Sequence, residues 1–187
     1  AVKAAAAVLA KKMDRDTESV KIATEVHREA YRAVCSSDPY FEIKCRADAV
    51  AEPFARELEE MVQASGDPLR TAIMGAVASN IMDFGAGSAI DDPDAFSSVY
   101  RSIVSEGLGL DDIGLLEDLL YGVPGVVYIF DNCGESRMDM VLIDLLRRMG
   151  KRVVGVVRGE PILNDVTAQD ARRIGLDHAV DRLLTTG

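Results

Sequence analysis

Apolar residues recur at helical spacing along most of the chain up to Tyr121. Between residues 17 and 34 they lie three or four positions apart, which is typical of one face of an amphipathic helix. Residues 2–13 are rich in alanine and lysine, and both have a high intrinsic preference for helix. We therefore predict that residues 1–121 form a helical region.

Proline and glycine divide this region into separate helices. One helix is predicted within residues 46–62, where Pro53 either kinks the helix or marks its start. Another is predicted from residue 68 to about residue 84, with Asp67 as the N-cap before a proline. Two shorter helices are predicted between residues 91 and 121, on either side of a glycine-containing break.

The hydrophobic pattern changes after Tyr121. Residues 126–130 and 153–157 are continuous β-prone apolar runs, as expected for parallel strands that are buried on both faces. Apolar residues at helical spacing over 138–149 lie between the two runs, so the order predicts a right-handed βαβ unit. The fold class is therefore predicted to be α/β. The helical region would pack on a Rossmann-like, three-layer α/β domain with parallel strands, residues 122–187.

Polar residues follow each predicted strand where ligands usually bind. Asp131 and Asn132 come after the first strand, and Arg158, Asn164 and Asp165 come after the second. The carboxyl ends of parallel strands meet at one edge of a sheet, so these side chains can converge. Their oxygens suit magnesium, manganese or calcium, and nickel and cobalt also fit. The alternative is that the same residues only cap turns and helices.

Composition narrows the classes of function. Hydrophobic residues make up 48% and charged residues 28% of the chain, as in globular proteins. A net charge of −10 argues against bulk electrostatic binding to nucleic acid or to an anionic membrane, and no apolar run is long enough to span a bilayer. Three cysteines without CxxC spacing favour a reducing, cytoplasmic location.

Two motifs at the strand ends resemble the signatures of the damage-control phosphatase family, also catalogued as domain of unknown function eighty-nine. The first signature, DN-x-GE, matches residues 131–135 and is followed by Asp139. The second, RG-x-P-x-x-ND-x-T-x-x-D, matches residues 158–170. Residues 38–44 and 79–85 also fit, so the resemblance covers nearly the whole chain, and its branch looks like the stand-alone prokaryotic one.

The resemblance implies a metal-dependent phosphatase that hydrolyses small phosphometabolites, such as sugar or cofactor phosphate monoesters. The implied metal is a divalent ion (Mg, Mn, Co or Ni) held by Asp131, Asn132 and Asp165, which are also the expected catalytic residues. The residues expected to bind substrate are Asn80, Asp83, Glu135, Arg158 and Asn164. The expected partner is a small-molecule phosphate ester, with no nucleic acid and no membrane, and an oligomer is compatible with this reading.

Two alternatives stay open. Some relatives have been assigned a carboxyl methyltransferase activity. The family also continues past the second signature with further strands and a lysine-bearing motif, whereas this sequence ends at Gly187. We therefore expect the chain to be truncated at its carboxyl end, which leaves a non-catalytic fragment or an interaction subunit as the other alternative.

Overall fold

The computed structural model describes residues 1–14, 18–82 and 95–186. Before the first strand it contains helices α1 (Val2–Lys12), α2 (Ser19–Ala33), α3 (Phe41–Ala64), α4 (Pro68–Met82), α5 (Ala95–Glu106) and α6 (Ile113–Gly122). The elements that follow are β1 (Gly125–Ile129), α7 (Glu135–Arg148), β2 (Arg152–Val157), α8 (Ala168–Ile174), α9 (Leu176–Ala179) and β3 (Arg182–Thr185). The predicted end of α4 near residue 84 lies outside the described residues.

Helix α3 runs through Pro53 and begins earlier than the sequence predicts. The suggestion that Pro53 marks a helix start is therefore wrong. The proline lies on the exposed side of the helix, and so does Ala49, whose carbonyl loses its hydrogen bond to residue 53. Water can solvate that carbonyl, while the opposite side buries Phe54 and Leu58 in the core. Packing of the buried side outweighs the local cost of the proline.

Helix α4 begins as its sequence predicts, and it packs closely against α3. The Asp67 side chain caps the helix, because its Oδ1 accepts a hydrogen bond from the Arg70 amide at 3.0 Å. At Gly75 a Cβ atom would lie 2.4 Å from the Leu58 side chain. The absence of a side chain at Gly75 therefore allows the two helices to approach each other.

The described residues form a three-stranded parallel sheet in the order β1-β2-β3. Val126 pairs with Val153, and Val154 pairs with Arg182, so the prediction of two parallel strands in one sheet is confirmed. The third strand was not predicted. Its four residues include only two apolar ones, which is too short a pattern to distinguish a strand from a turn.

One hydrophobic core continues from the helical region into the α/β region. It includes Phe54 and Leu58 of α3 together with Met138 and Ile143 of α7, all of them buried. On the other face of the sheet, Val127 is 66% exposed and Ile129 is 73% exposed, so the prediction that both faces are buried is wrong for β1 in the described structure. The α/β class is confirmed, whereas the three-layer arrangement and the division at residue 121 stay predictions. No helix in the described ranges is long and apolar enough to cross a membrane.

Candidate active site

Backbone hydrogen bonds join the loops that follow β1 and β2. Asn132 and Asp165 form an isolated antiparallel bridge. The Cys133 amide donates to the Asn164 carbonyl at 2.8 Å, and the Val166 amide donates to the Asp131 carbonyl at 2.7 Å. The parallel strands deliver both loops to one edge of the sheet, and these bonds then fix their register. The two loops predicted to carry the metal ligands are therefore in direct contact.

Asp165 is buried and paired with Arg158. The Arg158 Nε atom donates to Asp165 Oδ2 at 2.6 Å, and the arginine side chain is 43% exposed. Burial raises the pKa of the Asp165 carboxyl, the bond to Arg158 opposes that rise, and the nearby Asp131 carboxylate adds to it. Two carboxylates thus lie close enough to repel each other, with a half-exposed guanidinium beside them.

Glu135 links the first loop to the helical region. Its Oε1 accepts a hydrogen bond from the backbone amide of Asn132 at 3.2 Å. Its Oε2 accepts one from the side-chain Nδ2 of Asn80, on α4, at 3.1 Å. Burial of this carboxyl raises its pKa, although both hydrogen bonds act in the opposite direction. Asn80 therefore reaches the loop that carries the candidate ligands. Asp83, predicted to do the same, lies outside the described residues.

Asp139 lies on α7 behind the first loop. It is 6% exposed, and its Oδ1 accepts a hydrogen bond from the Tyr128 hydroxyl of β1 at 2.7 Å. Burial raises the pKa of Asp139 to about 7, and the nearby charges of Glu135 and Asp131 contribute to the rise. The carboxyl therefore changes its charge near neutral pH while remaining inside the protein.

A carboxylate that was not predicted from the sequence holds the first loop from outside. Asp48 of α3 is 2% exposed, and its Oδ1 accepts a hydrogen bond from the Gly134 amide at 2.8 Å. Its other oxygen accepts from Arg173 of α8. Gly134 has a φ of 92°, a conformation that other residues rarely adopt. Asp48 lies four positions after Lys44, on the side of helix α3 that carries its buried apolar residues. In the sequence, this position on the helix was the only signal that Asp48 is buried.

A fully buried lysine joins this carboxylate network to the second loop. Lys44 Nζ donates to Asp38 Oδ2 at 2.8 Å and to Asp170 Oδ2 at 3.0 Å. Asp170 also accepts from the Thr167 amide and hydroxyl, and its own amide donates to Thr167 Oγ1, so the two residues form a capping box at the start of α8. These bonds and the Arg173 guanidinium lower the pKa of Asp170 against the effect of burial. The buried charged side chains next to the two loops therefore form ion pairs between helices α3 and α8.

The candidate donor set suits a hard divalent cation. No group of three or more His, Cys, Asp or Glu side chains in the described ranges is arranged to hold a metal, and the candidate set combines two carboxylates, Asp131 and Asp165, with the side-chain amide of Asn132. Asp131 is exposed, and its charge acts on Asp165. A cation between these carboxylates would relieve their repulsion, and two carboxylates with an amide oxygen leave coordination positions for water, as Mg²⁺ requires.

Comparison with known proteins gives consistent matches along the chain. A family model described as the damage-control phosphatase ARMT1-like domain matches residues 1–187. A damage-control phosphatase of Archaeoglobus fulgidus is 34% identical over 180 residues, covering 96% of this chain and 62% of that protein. A protein of Methanocaldococcus jannaschii is 32% identical over 168 residues, covering 88% of this chain and 54% of that protein.

A solved structure gives the same result for the fold. The crystal structure of a DUF89 family protein from Pyrococcus horikoshii matches with a TM-score of 0.82 at 25% sequence identity. The match covers 98% of this chain and 62% of that protein. The chain therefore spans less than two thirds of the length of the relatives it matches.

Proposed function

The chain belongs to the damage-control phosphatase ARMT1-like family, and from that premise we propose that it forms part of a metal-dependent phosphatase. The proposed substrates are small phosphometabolites, namely sugar or cofactor phosphate monoesters. The names of the relatives support the activity, and one observation supports its location. The backbone bridge between Asn132 and Asp165 joins the two loops at the carboxyl end of the sheet, where the charge of Asp131 acts on the Asp165 carboxyl.

Asp131, Asn132 and Asp165 would hold the divalent ion, which we propose to be Mg²⁺, Mn²⁺, Co²⁺ or Ni²⁺. Such an ion polarises a phosphoryl oxygen and lowers the pKa of a bound water. Asp131 is the exposed member of the set, and its side chain is open to an entering ligand. Asp165 is held in place by its hydrogen bond to Arg158. We propose that these three residues together supply the oxygen donors for the ion.

Arg158 is proposed to neutralise charge on the phosphoryl group. Its guanidinium is 43% exposed and uses Nε for Asp165, so its two terminal nitrogens are placed to donate to phosphoryl oxygens. Phosphoryl transfer depends mainly on positioning and on neutralising charge on the equatorial oxygens. An arginine beside the candidate ligands can position the phosphoryl group and neutralise its charge.

The remaining proposed substrate contacts are Glu135, Asn80, Asn164 and Asp83. Glu135 accepts hydrogen bonds from the backbone amide of Asn132 and from the side chain of Asn80. It therefore orients the first loop and keeps the Asn80 side chain at the site. Asn164 lies beside Asp165 and is half-buried. Asp83 is proposed from the family resemblance alone. We also propose a cytoplasmic location, which the free thiols of all three cysteines support.

Metal binding is tested by titrating Mn²⁺ and Mg²⁺ into the chain in a calorimeter. Asp131→Asn should weaken binding by at least about tenfold, because loss of a ligand should cost no less than loss of a group that orients one. The matched control is Asp144→Asn, which removes the same charge from an exposed position of α7 that pairs with Arg148. Equal affinity in the wild type and in Asp131→Asn would remove Asp131 from the site.

Hydrolysis is tested on the longest natural chain that contains these 187 residues. Phosphate release from a panel of sugar and cofactor phosphates should require the metal and stop with a chelator. Asp165→Ala should reduce the rate by roughly 100-fold or more, the loss seen when a charge-stabilising group is removed. Chelator-resistant release would contradict the proposal. Metal binding without phosphate release would favour the non-catalytic alternative or methyl transfer.

A further inference from the structure

The second loop contains a backbone conformation that local sequence does not favour. Leu163, two residues before Asp165, has a φ of 48° although it is not glycine. A left-handed conformation costs a non-glycine residue roughly 1 kcal/mol or more, and it persists only where surrounding contacts impose it. Something outside the loop must therefore hold Leu163 in place.

The contact that holds Leu163 comes from the helical region. The Tyr31 hydroxyl of α2 accepts a hydrogen bond from the Leu163 amide at 2.9 Å, across 132 residues of sequence. Tyr31 is 8% exposed, and its ring packs against the rings of His27 and Tyr40. Because these neighbours fix the ring, the hydroxyl is a fixed acceptor. Helix α2 contacts the same loop a second time through the Arg28–Glu160 ion pair, at 2.8 Å.

The position of Leu163 is transmitted directly to the candidate ligands. The Asp165 amide donates to the Ile162 carbonyl at 3.0 Å, which closes a turn around Leu163. The carbonyl of the next residue, Asn164, accepts from the Cys133 amide of the first loop. A shift of Leu163 therefore moves both the Asp165 carboxylate and the contact between the two loops.

We propose that Tyr31 is a positioning residue whose hydroxyl fixes the 162–165 turn and thereby sets the direction of the Asp165 side chain. The effect on metal binding rests on the function proposed above, whereas the effect on the loop does not. Groups that orient metal ligands typically contribute 10- to 100-fold to metal affinity, so removing one hydroxyl should cost about tenfold.

The loop is tested first without metal. Tyr31→Phe removes only the hydroxyl, and hydrogen exchange measured by mass spectrometry should become roughly fivefold faster in residues 159–166, the effect of losing one hydrogen bond. Tyr40→Phe is the matched control, because the described part of the structure shows a hydrogen bond at the Tyr40 amide but none at its hydroxyl. Unchanged exchange in 159–166, or faster exchange throughout the chain, would overturn the proposal.

Metal affinity is tested next on the same variants. The Mn²⁺ dissociation constant of Tyr31→Phe should rise about tenfold, measured by electron paramagnetic resonance where all variants are fully folded, while that of Tyr40→Phe should equal the wild type. Faster loop exchange with unchanged Mn²⁺ affinity would overturn the positioning role. A wild-type chain that binds no Mn²⁺ would overturn the proposed function and the metal part of this inference, and the exchange data would still decide whether the hydroxyl holds the loop.

Discussion

Replacing Asp139 by Asn should change how the stability of the protein depends on pH. Asp139 is 6% exposed, and burial, reinforced by Glu135 and Asp131, raises its pKa to about 7. Asparagine has nearly the same shape as a protonated aspartate and cannot ionise. Asp139→Asn therefore removes the titration while keeping an oxygen that can accept the hydrogen bond from Tyr128.

The direction and the size of the change in folding stability with pH follow from the protonation of Asp139 in the folded and unfolded chain. Between the ordinary pKa of 3.8 and the folded pKa of about 7, the folded chain keeps a proton that the unfolded chain has released. Folding stability must therefore fall as pH rises through this interval and level off above it. Each pH unit is worth about 1.4 kcal/mol, so the full interval costs the wild type about 4 kcal/mol.

The measurement is urea unfolding of both proteins, with a chelator present, at intervals from about pH 4 to about pH 8. The stability of Asp139→Asn minus that of the wild type should increase by about 4 kcal/mol across the range. Burial also raises the pKa of Glu135 and of Asp165. Because both groups are present in both proteins, their contributions largely cancel in the difference in stability.

A control variant shifts the same titration in the opposite direction. The hydrogen bond from the Tyr128 hydroxyl lowers the pKa of Asp139, so Tyr128→Phe should raise that pKa further. In this variant the decline in stability should continue above pH 7. Parallel pH profiles for the wild type and Asp139→Asn would refute the reasoning, because Asp139 would then be ionised in the folded protein throughout.

Two further predictions concern packing and buried charge. Lys44→Met should destabilise the chain by about 3–5 kcal/mol in thermal unfolding, because it leaves Asp170 buried without its lysine partner, and a loss below about 1 kcal/mol would contradict this. Gly75→Ala should destabilise by up to about 2 kcal/mol, because its Cβ would lie 2.4 Å from Leu58 and the overpacking cost of about 1–3 kcal/mol outweighs the gain of about 1 kcal/mol in helix preference. Gly114→Ala, with open space around it, should stabilise by up to about 1 kcal/mol. Equal effects of the two glycine changes would contradict the close approach of α3 and α4.

The sequence predicts the βαβ unit well because its signals are local. Both predicted strands lie within one residue of the observed bounds, and the capping box of α8 was visible as Thr167 followed by Asp170. Helix α3 shows where local signals fail. Pro53 argues for a break, but burial of one helix face against α4 and α7 stabilises an unbroken helix of 24 residues.

The candidate site was predictable where strand ends determine it and hidden where distant residues complete it. Asp131 and Asp165 follow strands, so topology alone places them at one edge of the sheet. Asp48 and Tyr31 contact the same loops from positions 86 and 132 residues away. A charged or tyrosine residue inside an amphipathic helix is usually half-exposed. Only the packing of α2 and α3 on the α/β region shows that Tyr31 and Asp48 are buried against the loops.

The two long-range contacts share a physical cause. Each loop contains one residue with positive φ, Gly134 at 92° and Leu163 at 48°, and the helical region accepts a hydrogen bond from the amide of each. The strands fix the chain only up to residues 129 and 157, and the turns that follow are not favoured by local preference. The acceptors on α2 and α3 select these turns. The geometry of the candidate ligands is therefore a property of both regions, and a division of the chain at residue 121 would separate the ligands from the groups that orient them.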